Sequence, residues 1–254
     1  MRVKTAGLTT LVTVPALLLA TACTSDDGKQ PAKDTGSPVR TQPGQGADSG
    51  KGGPGGADAS KPLSEPQLQR AALATGDLPG FQVSPGKSAL APSGQPAADK
   101  RQCQPLADAM GDKPSPQAQR TVNRGLGSLE SLGLAVSASL SSYSEAGAGK
   151  LMASLKSAIA GCGEGFSATL DGRSGDYREV KTAAFTVSGA DETVSWTTVG
   201  NNEGAVAPIH LVVVRKGATV ARFMALDLAR RTPPRVPQEV ADKQLAKVAQ
   251  VLNG

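Results

Sequence analysis

The sequence predicts an α+β domain in which an antiparallel β-sheet of about five strands packs against helices. Residues 134–143 alternate between apolar and serine side chains, the pattern of a half-buried strand with one solvated face. Residues 209–214 and 218–228 form a predicted hairpin around the turn 215–217. Helical periodicity follows the first of these strands and returns at the carboxyl end. The order of helix, strand, helix, several strands and helix predicts a sheet covered on one face.

The first 22 residues have the layout of a bacterial lipoprotein signal peptide. Arg2 and Lys4 form a short positive region, and residues 6–22 carry no charge. The uncharged run is too short for a membrane span and ends in small residues before Cys23. We therefore expect cleavage before Cys23 and lipidation of this cysteine. The alternative is an ordinary secretory signal with a chance cysteine after it.

Residues 23–62 form a predicted flexible tether that carries the lipidated cysteine at its start. The segment is built almost wholly from Gly, Pro, Ser, Asp, Lys, Gln, Thr and Ala, and Val39 is its only branched aliphatic residue. Such a composition cannot bury enough apolar surface to offset the entropy of ordering it. As a Gly-rich coil it would reach roughly 35 Å. We expect residues 63–254 to form one domain; the alternative is that the tether belongs to the fold.

The charge of the chain favours no nucleic-acid partner. The formal net charge is +5, and it falls by two, to +3, once Arg2 and Lys4 leave with the signal peptide. The basic residues are scattered rather than gathered in a stripe. The lipid anchor remains the predicted contact with the membrane.

The cysteine count agrees with an exported protein. If Cys23 carries lipid, Cys103 and Cys162 remain as an even pair, and disulfide formation is the default outside the cytoplasm. Closing so long a loop would stabilise the fold by about 4 kcal/mol in the chain-entropy description. The alternative is a pair of free thiols or a catalytic cysteine, which would need an activating base.

The first helix of the domain is predicted to begin at Ser64. Ser64 can cap the helix, and Gln67 can return the bond of a capping box. Gly76 is a natural stop. A short strand at 81–83 and a loop rich in Pro, Gly and Ala at 84–100 follow.

Two short elements are predicted before the strand 134–143: a helix that carries Cys103 on its apolar face and a turn over residues 117–124. The helix after that strand begins with a capping box at 142–145. Its apolar stripe contains Leu151, Leu155, Ile159 and Cys162, which suits a buried bridge to Cys103.

Further strands are predicted at 166–170, 180–187 and 193–199. The last helix is predicted to begin near Pro237. Its apolar stripe contains Ala241, Leu245, Val248 and Leu252.

Several of these segments, in this order, resemble a known family. The run 140–143 precedes a helix that ends in 159–162, the run 194–196 leads to 212–221, and the chain closes on 236–240 and a helix. This arrangement is similar to actinobacterial lipoproteins related to the PknH-type extracellular sensor domain, a module also found outside the membrane on mycobacterial serine/threonine kinases. The similarity spans about residues 63–254.

The resemblance implies an antiparallel sheet flanked by helices, with a cleft for a ligand. It also implies more than one disulfide, whereas only Cys103 and Cys162 are available here. Since the sequence shows neither a kinase domain nor a membrane span, we expect any sensing to act through a partner.

No catalytic or metal-binding constellation is predicted. His210 is the sole histidine, and strand alternation places it on the face of Val212 and Val214. A general base would need a nucleophile or carboxylate beside it, and the local sequence supplies neither. We therefore expect a strand histidine with a local hydrogen bond. The carboxylates are dispersed and form no calcium loop, although a remote pair of a hydrolase stays open.

Trp196 and His210 are the predicted ligand-binding residues. An amphipathic aromatic suits the wall of a cleft, and packing in the core is the alternative for Trp196. We expect a non-enzymatic lipoprotein on the outer face of the cytoplasmic membrane, without a cofactor. It would bind a small ligand or an envelope protein in a cleft between sheet and helices. The alternatives are a wall-docking structural protein without a pocket and an exported hydrolase.

Overall fold

The computed structural model describes residues 58–86, 90–202, 204–227, 229 and 234–254. The predicted signal peptide 1–22, Cys23 and the tether up to residue 57 lie outside the described residues, so these features stay predictions.

The described residues form nine strands, four α-helices and one short 3-10 helix. The helices are α1 (Glu65–Ala71), the 3-10 helix (Arg101–Cys103), α2 (Gln104–Asp108), α3 (Glu145–Gly161) and α4 (Gln238–Asn253). The strands are β1 (Phe81–Pro85), β2 (Ala97–Ala98), β3 (Arg120–Ser128), β4 (Leu134–Ser142), β5 (Phe166–Leu170), β6 (Arg173–Thr182), β7 (Glu192–Asn202), β8 (Ala205–Lys216) and β9 (Thr219–Asp227).

All nine strands belong to one antiparallel sheet in the order β1-β3-β4-β9-β8-β7-β6-β5-β2. The α+β class with an antiparallel sheet is confirmed, and the prediction of about five strands was too low. Residues 117–124 were predicted as a turn, whereas β3 begins at Arg120. The alternation of apolar residues in β3 is interrupted by Arg124, which occupies a buried position. Its Nε donates to the Leu73 carbonyl oxygen at 2.7 Å.

Helices cover both faces of the sheet, so the prediction of a single covered face was wrong. One face packs against α1 and α4 through a cluster that includes Leu68, Val212 and Leu245. The other face packs against α2 and α3 through a cluster that includes Leu106 and Leu155.

The serines of β4 explain this error. Ser137, Ser139 and Ser141 alternate as predicted, yet none is more than 2% exposed. Arg222 lies opposite Ser139 and is fully buried; it donates to Ser137 Oγ at 3.0 Å and to the Gly111 carbonyl oxygen at 2.8 Å. The polar face of this strand therefore meets a buried cation instead of water.

The predicted cap of α1 and the disulfide are confirmed, whereas α3 is capped by Ser144, which accepts from the Gly147 N–H, and not by a capping box at 142–145. Ser64 and Gln67 form the capping box, in which the Ser64 N–H donates to Gln67 Oε1 at 2.9 Å. The helix ends at Ala71, before Gly76, and the buried Gln244 side chain of α4 donates to the Ala71 carbonyl oxygen at 2.7 Å. Cys103 and Cys162 are bonded and join the 3-10 helix to the end of α3.

The described chain enters the fold at one end of the sheet, beside the turn that joins β8 to β9. The Ala218 N–H donates to the Ala59 carbonyl oxygen at 2.7 Å. Gly217 has a φ of +56°, and a Cβ added there would lie 1.9 Å from that same oxygen. The glycine is therefore required for the close approach of residues 58–61.

Candidate ligand-binding cleft

A cleft of about 830 Å³ opens on the face of the sheet that packs against α2 and α3. Its floor consists of residues from β5, β6, β7, β8 and β9. Its wall consists of Leu90, Pro92, Ser93, Pro96 and Met110. The cleft lies near the turn that joins β5 to β6, at the opposite end of the sheet from Gly217.

Small residues on neighbouring strands create the depression. The floor positions without a large side chain are Ala168, Gly175, Gly200, Ala205 and Ala207. Gly200 is the tightest of them, because an added Cβ would lie 3.0 Å from Ile209 Cδ1 and 3.5 Å from the Tyr177 ring. Ile209 and Tyr177 therefore pack directly over Gly200, and their side chains form the floor at this point.

Tyr177 is the aromatic residue of the cleft. Its ring stacks on Phe166 with centroids 5.1 Å apart, which fixes its position. Its hydroxyl lies beside Gly175, where an added Cβ would be 3.6 Å away. Burial raises the pKa of Tyr177, so the phenol stays neutral and can donate a hydrogen bond at physiological pH.

The remaining lining residues divide into an apolar interior and a polar rim. The apolar side chains from the sheet are Leu170, Ile209, Met224 and Leu226. The polar residues of the lining are Ser93, Asp171, Arg173, Ser174, Asn201 and Asn202. Asp171 and Arg173 are the charged residues of this lining, and both are exposed.

The wall is fixed to the sheet through Gly111. Arg222 holds the Gly111 carbonyl oxygen, and a Cβ added at Gly111 would lie 2.4 Å from the Gly94 carbonyl oxygen. Gln95 Nε2 donates to the Lys113 carbonyl oxygen at 2.9 Å, and Gln104 Nε2 donates to that of Pro96 at 2.8 Å. Burial lowers the pKa of Arg222 to about 10, so its guanidinium stays charged. Sequence reasoning missed Arg222.

A second pocket of about 590 Å³ lies between α2 and α3. Its lining includes Asp108, which burial leaves with a raised pKa and which accepts from Gln104 Nε2 at 2.8 Å. Arg101 and Lys150 stand at its edge. Asp108 is the one carboxylate among its described lining residues, so the pocket offers no pair for acid–base chemistry.

The structure does not bring Trp196 and His210 together. Trp196 pairs with Leu211, so it shares the α2/α3 face, where it is fully buried beside α3. His210 pairs with Thr197 and lies on the opposite face, 1% exposed. Neither residue lines the cleft. Side chains alternate between the two faces along each strand, and the pairing of β7 with β8 places the side chains of residues 196 and 210 on opposite faces.

His210 makes hydrogen bonds, as the sequence predicts, but sequence reasoning did not identify its partners, Val236 and Ser195. Its Nδ1 accepts from the Val236 N–H at 2.8 Å, and its Nε2 lies 2.8 Å from Ser195 Oγ. Because Nδ1 accepts, the neutral ring carries its proton on Nε2 and donates to Ser195. A general base needs Nε2 as the acceptor, so this serine–histidine contact is structural.

No group of three His, Cys, Asp or Glu side chains in the described part of the chain is placed to hold a metal ion. Among the same residues, no helix is both long enough and apolar enough to cross a membrane.

The fold is similar to that of a solved extracellular domain. The extracellular domain of PknH from Mycobacterium tuberculosis is 12% identical, with a TM-score of 0.50, and the match covers 76% of this chain and 98% of that domain. A putative uncharacterized protein (Rv0999 ortholog) from Mycobacterium smegmatis is 16% identical over 78% of this chain and 98% of that one, with a TM-score of 0.37. No family model and no curated protein matches the sequence.

The resemblance to a PknH-type extracellular sensor-like domain is therefore confirmed at the level of the fold. An identity of 12% transfers the architecture and not the ligand.

Proposed function

We propose that the chain is a membrane-anchored extracytoplasmic lipoprotein whose domain binds a small ligand in the cleft on the α2/α3 face and catalyses no reaction on it. The cleft carries this proposal. Its volume of about 830 Å³ falls in the range of small-molecule sites, and a few polar groups surround an apolar interior.

The chemistry of the lining supports recognition over catalysis. Tyr177 is neutral, and the charged residues Asp171 and Arg173 are exposed at the rim. A hydrolase that uses two carboxylates needs both of them across the scissile bond. The described lining contributes one carboxylate, so the exported-hydrolase alternative finds no support in this cleft.

The position of the cleft suits a tethered domain. Residues 58–61 lie beside Gly217, whereas the cleft opens at the other end of the sheet. A ligand can therefore reach the cleft without crossing the attachment point. Any signal would pass to a partner protein rather than along the tether, because a coil of the flexibility that the sequence predicts would transmit no defined conformational change.

A wall-docking role without a ligand is the second candidate. Leu129 and Leu132, on the turn between β3 and β4, are 64% and 79% exposed. Two neighbouring exposed leucines suit contact with an envelope partner.

Native mass spectrometry of the protein isolated from its own envelope tests the proposal. We expect a bound small molecule that Ala207→Phe, which fills the floor, no longer retains. Val206→Phe is the matched control, because Val206 is 62% exposed and points to the opposite face of the same strand. Equal retention by both variants, or ligand-free protein throughout, would contradict binding in the cleft and favour the docking role.

A further inference from the structure

We propose that the part of the ligand enclosed by the cleft is an uncharged aliphatic chain, so that the ligand is a lipid-like amphiphile with its polar head at the rim. This inference rests on the proposed function and specifies the class of ligand.

The absence of charge inside the described lining is the first argument. Asp171 lies in the turn before β6, and Arg173 is the first residue of β6. Both side chains are exposed, and their charges have opposite signs. An ionic group that moved into the interior would lose its hydration without meeting a partner. The enclosed part of the ligand is therefore neutral.

The floor offers contact area but few hydrogen-bonding groups. Gly175, Gly200 and Ala207 lie on three adjacent strands, whose backbone N–H and C=O groups are engaged in antiparallel pairing. A saccharide would need donors and acceptors for each enclosed hydroxyl. A hydrocarbon chain needs only van der Waals contact, which a flat floor of small residues supplies along its length.

Two methionines adapt the interior to a flexible chain. Met110 comes from the wall and Met224 from β9, and they are 3% and 2% exposed. Unbranched thioether side chains adjust their rotamers to irregular apolar partners more readily than branched ones. Together with Ile209 and Leu226 they give the cleft an apolar side along the floor.

The rim provides neutral groups for a polar head. The Tyr177 hydroxyl stays protonated, and the exposed Asn202 lies on the same side of the sheet. These groups suit a hydroxyl, ether or ester. The same end of the sheet also carries the exposed Leu129 and Leu132, which can contact the apolar phase from which such a ligand comes.

The test uses the mature chain with Cys23→Ser, which needs no detergent to stay in solution. The probes are monoacylglycerols with acyl chains of four, eight and twelve carbons, which share one neutral head, and maltose as a neutral saccharide without an acyl chain. Isothermal titration calorimetry below the critical micelle concentrations gives the affinities. We expect a gain of about two- to fourfold per methylene group, as for burial of a hydrocarbon chain, and no binding of maltose.

The cleft variants keep the test specific. Ala207→Phe should abolish the gain with chain length, and Val206→Phe should leave it unchanged. Ala205→Phe, nearer the mouth, is a second variant in case Ala207→Phe fails to fold, which circular dichroism would show. Affinity that does not depend on chain length, or binding of maltose, would overturn the lipid proposal. If Ala207→Phe nevertheless loses the molecule that the natural protein retains, ligand binding in the cleft stands and only the lipid proposal is wrong.

Discussion

The Nδ1 atom of His210 accepts a hydrogen bond from the backbone N–H of Val236 at 2.8 Å. The imidazole thereby joins β8 to the segment that enters α4, and through Ser195 it also contacts β7. Burial, with a smaller contribution from the charge of Arg235, lowers the pKa of His210 to about 4. The folded protein therefore contains His210 in its neutral form, with Nδ1 unprotonated.

The histidine should make the fold sensitive to mild acid. Because its pKa is lower in the folded than in the unfolded chain, stability is complete above the unfolded value of about 6.5. It should fall by on the order of 3 kcal/mol as the pH drops from about 6.5 to about 4, where protonation breaks the bond from Val236. Urea unfolding at pH 7.5, 5.5 and 4.5 measures this loss.

His210→Gln is the control for that titration, because it removes the ionisable group and leaves the carboxylates in place. We expect its stability to depend less on pH over the same interval. Parallel losses in both proteins would show that His210 is not responsible.

The bridge between Cys103 and Cys162 should resist alkylation without reductant and stabilise the domain. It closes a loop with a sequence separation of 59, for which the loss of unfolded-state entropy predicts about 4 kcal/mol. Chemical unfolding of the natural protein and of the double variant Cys103→Ala/Cys162→Ala gives this difference. Quantitative labelling of both thiols in the unreduced protein would contradict the bridge.

Gly217 should be needed to hold residues 58–61 against the sheet. In Gly217→Ala the new Cβ would collide with the Ala59 carbonyl oxygen at 1.9 Å. We expect faster trypsin cleavage at Lys61 and a loss of stability beyond the backbone strain of about 1–2 kcal/mol that alanine suffers at positive φ.

Gly189→Ala provides the matched comparison. Gly189 has a φ of +76° and nothing within 4 Å of an added Cβ, so it reports the strain alone. Equal stability and equal cleavage of the two variants would show that the contact with Ala59 contributes nothing.

Lipidation of Cys23 should be visible on the protein extracted from membranes. We expect a diacylglycerol on the cysteine thiol and no residue before it, as the signal layout predicts. Cys23→Ser should move the protein into the soluble fraction. An unmodified chain that is freely secreted would remove the membrane anchor from the proposed function.

Much of the fold could be predicted from local patterns. Strict alternation gave β4, and the hairpin of β8 and β9 followed from two apolar runs around Gly217. The stripes of α3 and α4 were also visible. These elements could be predicted because their apolar side chains recur with the period of a strand or of a helix.

The elements that were missed contain buried polar groups or an irregular backbone. The sequence does not distinguish a buried arginine from a solvated one. For this reason β3, which contains Arg124, and the second covered face, which contains Arg222, were not predicted. In β6 the register shifts between Arg178 and Lys181, and Glu179 has a φ of +54°. The predicted strand 180–187 began after this irregularity, whereas β6 begins at Arg173 and ends at Thr182.

The candidate site was less accessible to sequence reasoning than the fold. Its floor is a set of glycines and alanines from several strands, and such residues carry no chemical signal until the register aligns them. Trp196 and His210 were conspicuous because each is the only residue of its type. The register that pairs Trp196 with Leu211 places them on opposite faces.

A crystal structure of the protein isolated from its own envelope tests the central claim most directly. We expect continuous extra density along the floor from Ala168 to Ala207, in contact with Tyr177 and Met224, that is missing in Ala207→Phe. A cleft that holds only solvent in the natural protein, while the isolated protein carries no bound small molecule, would contradict ligand recognition as the function of this domain.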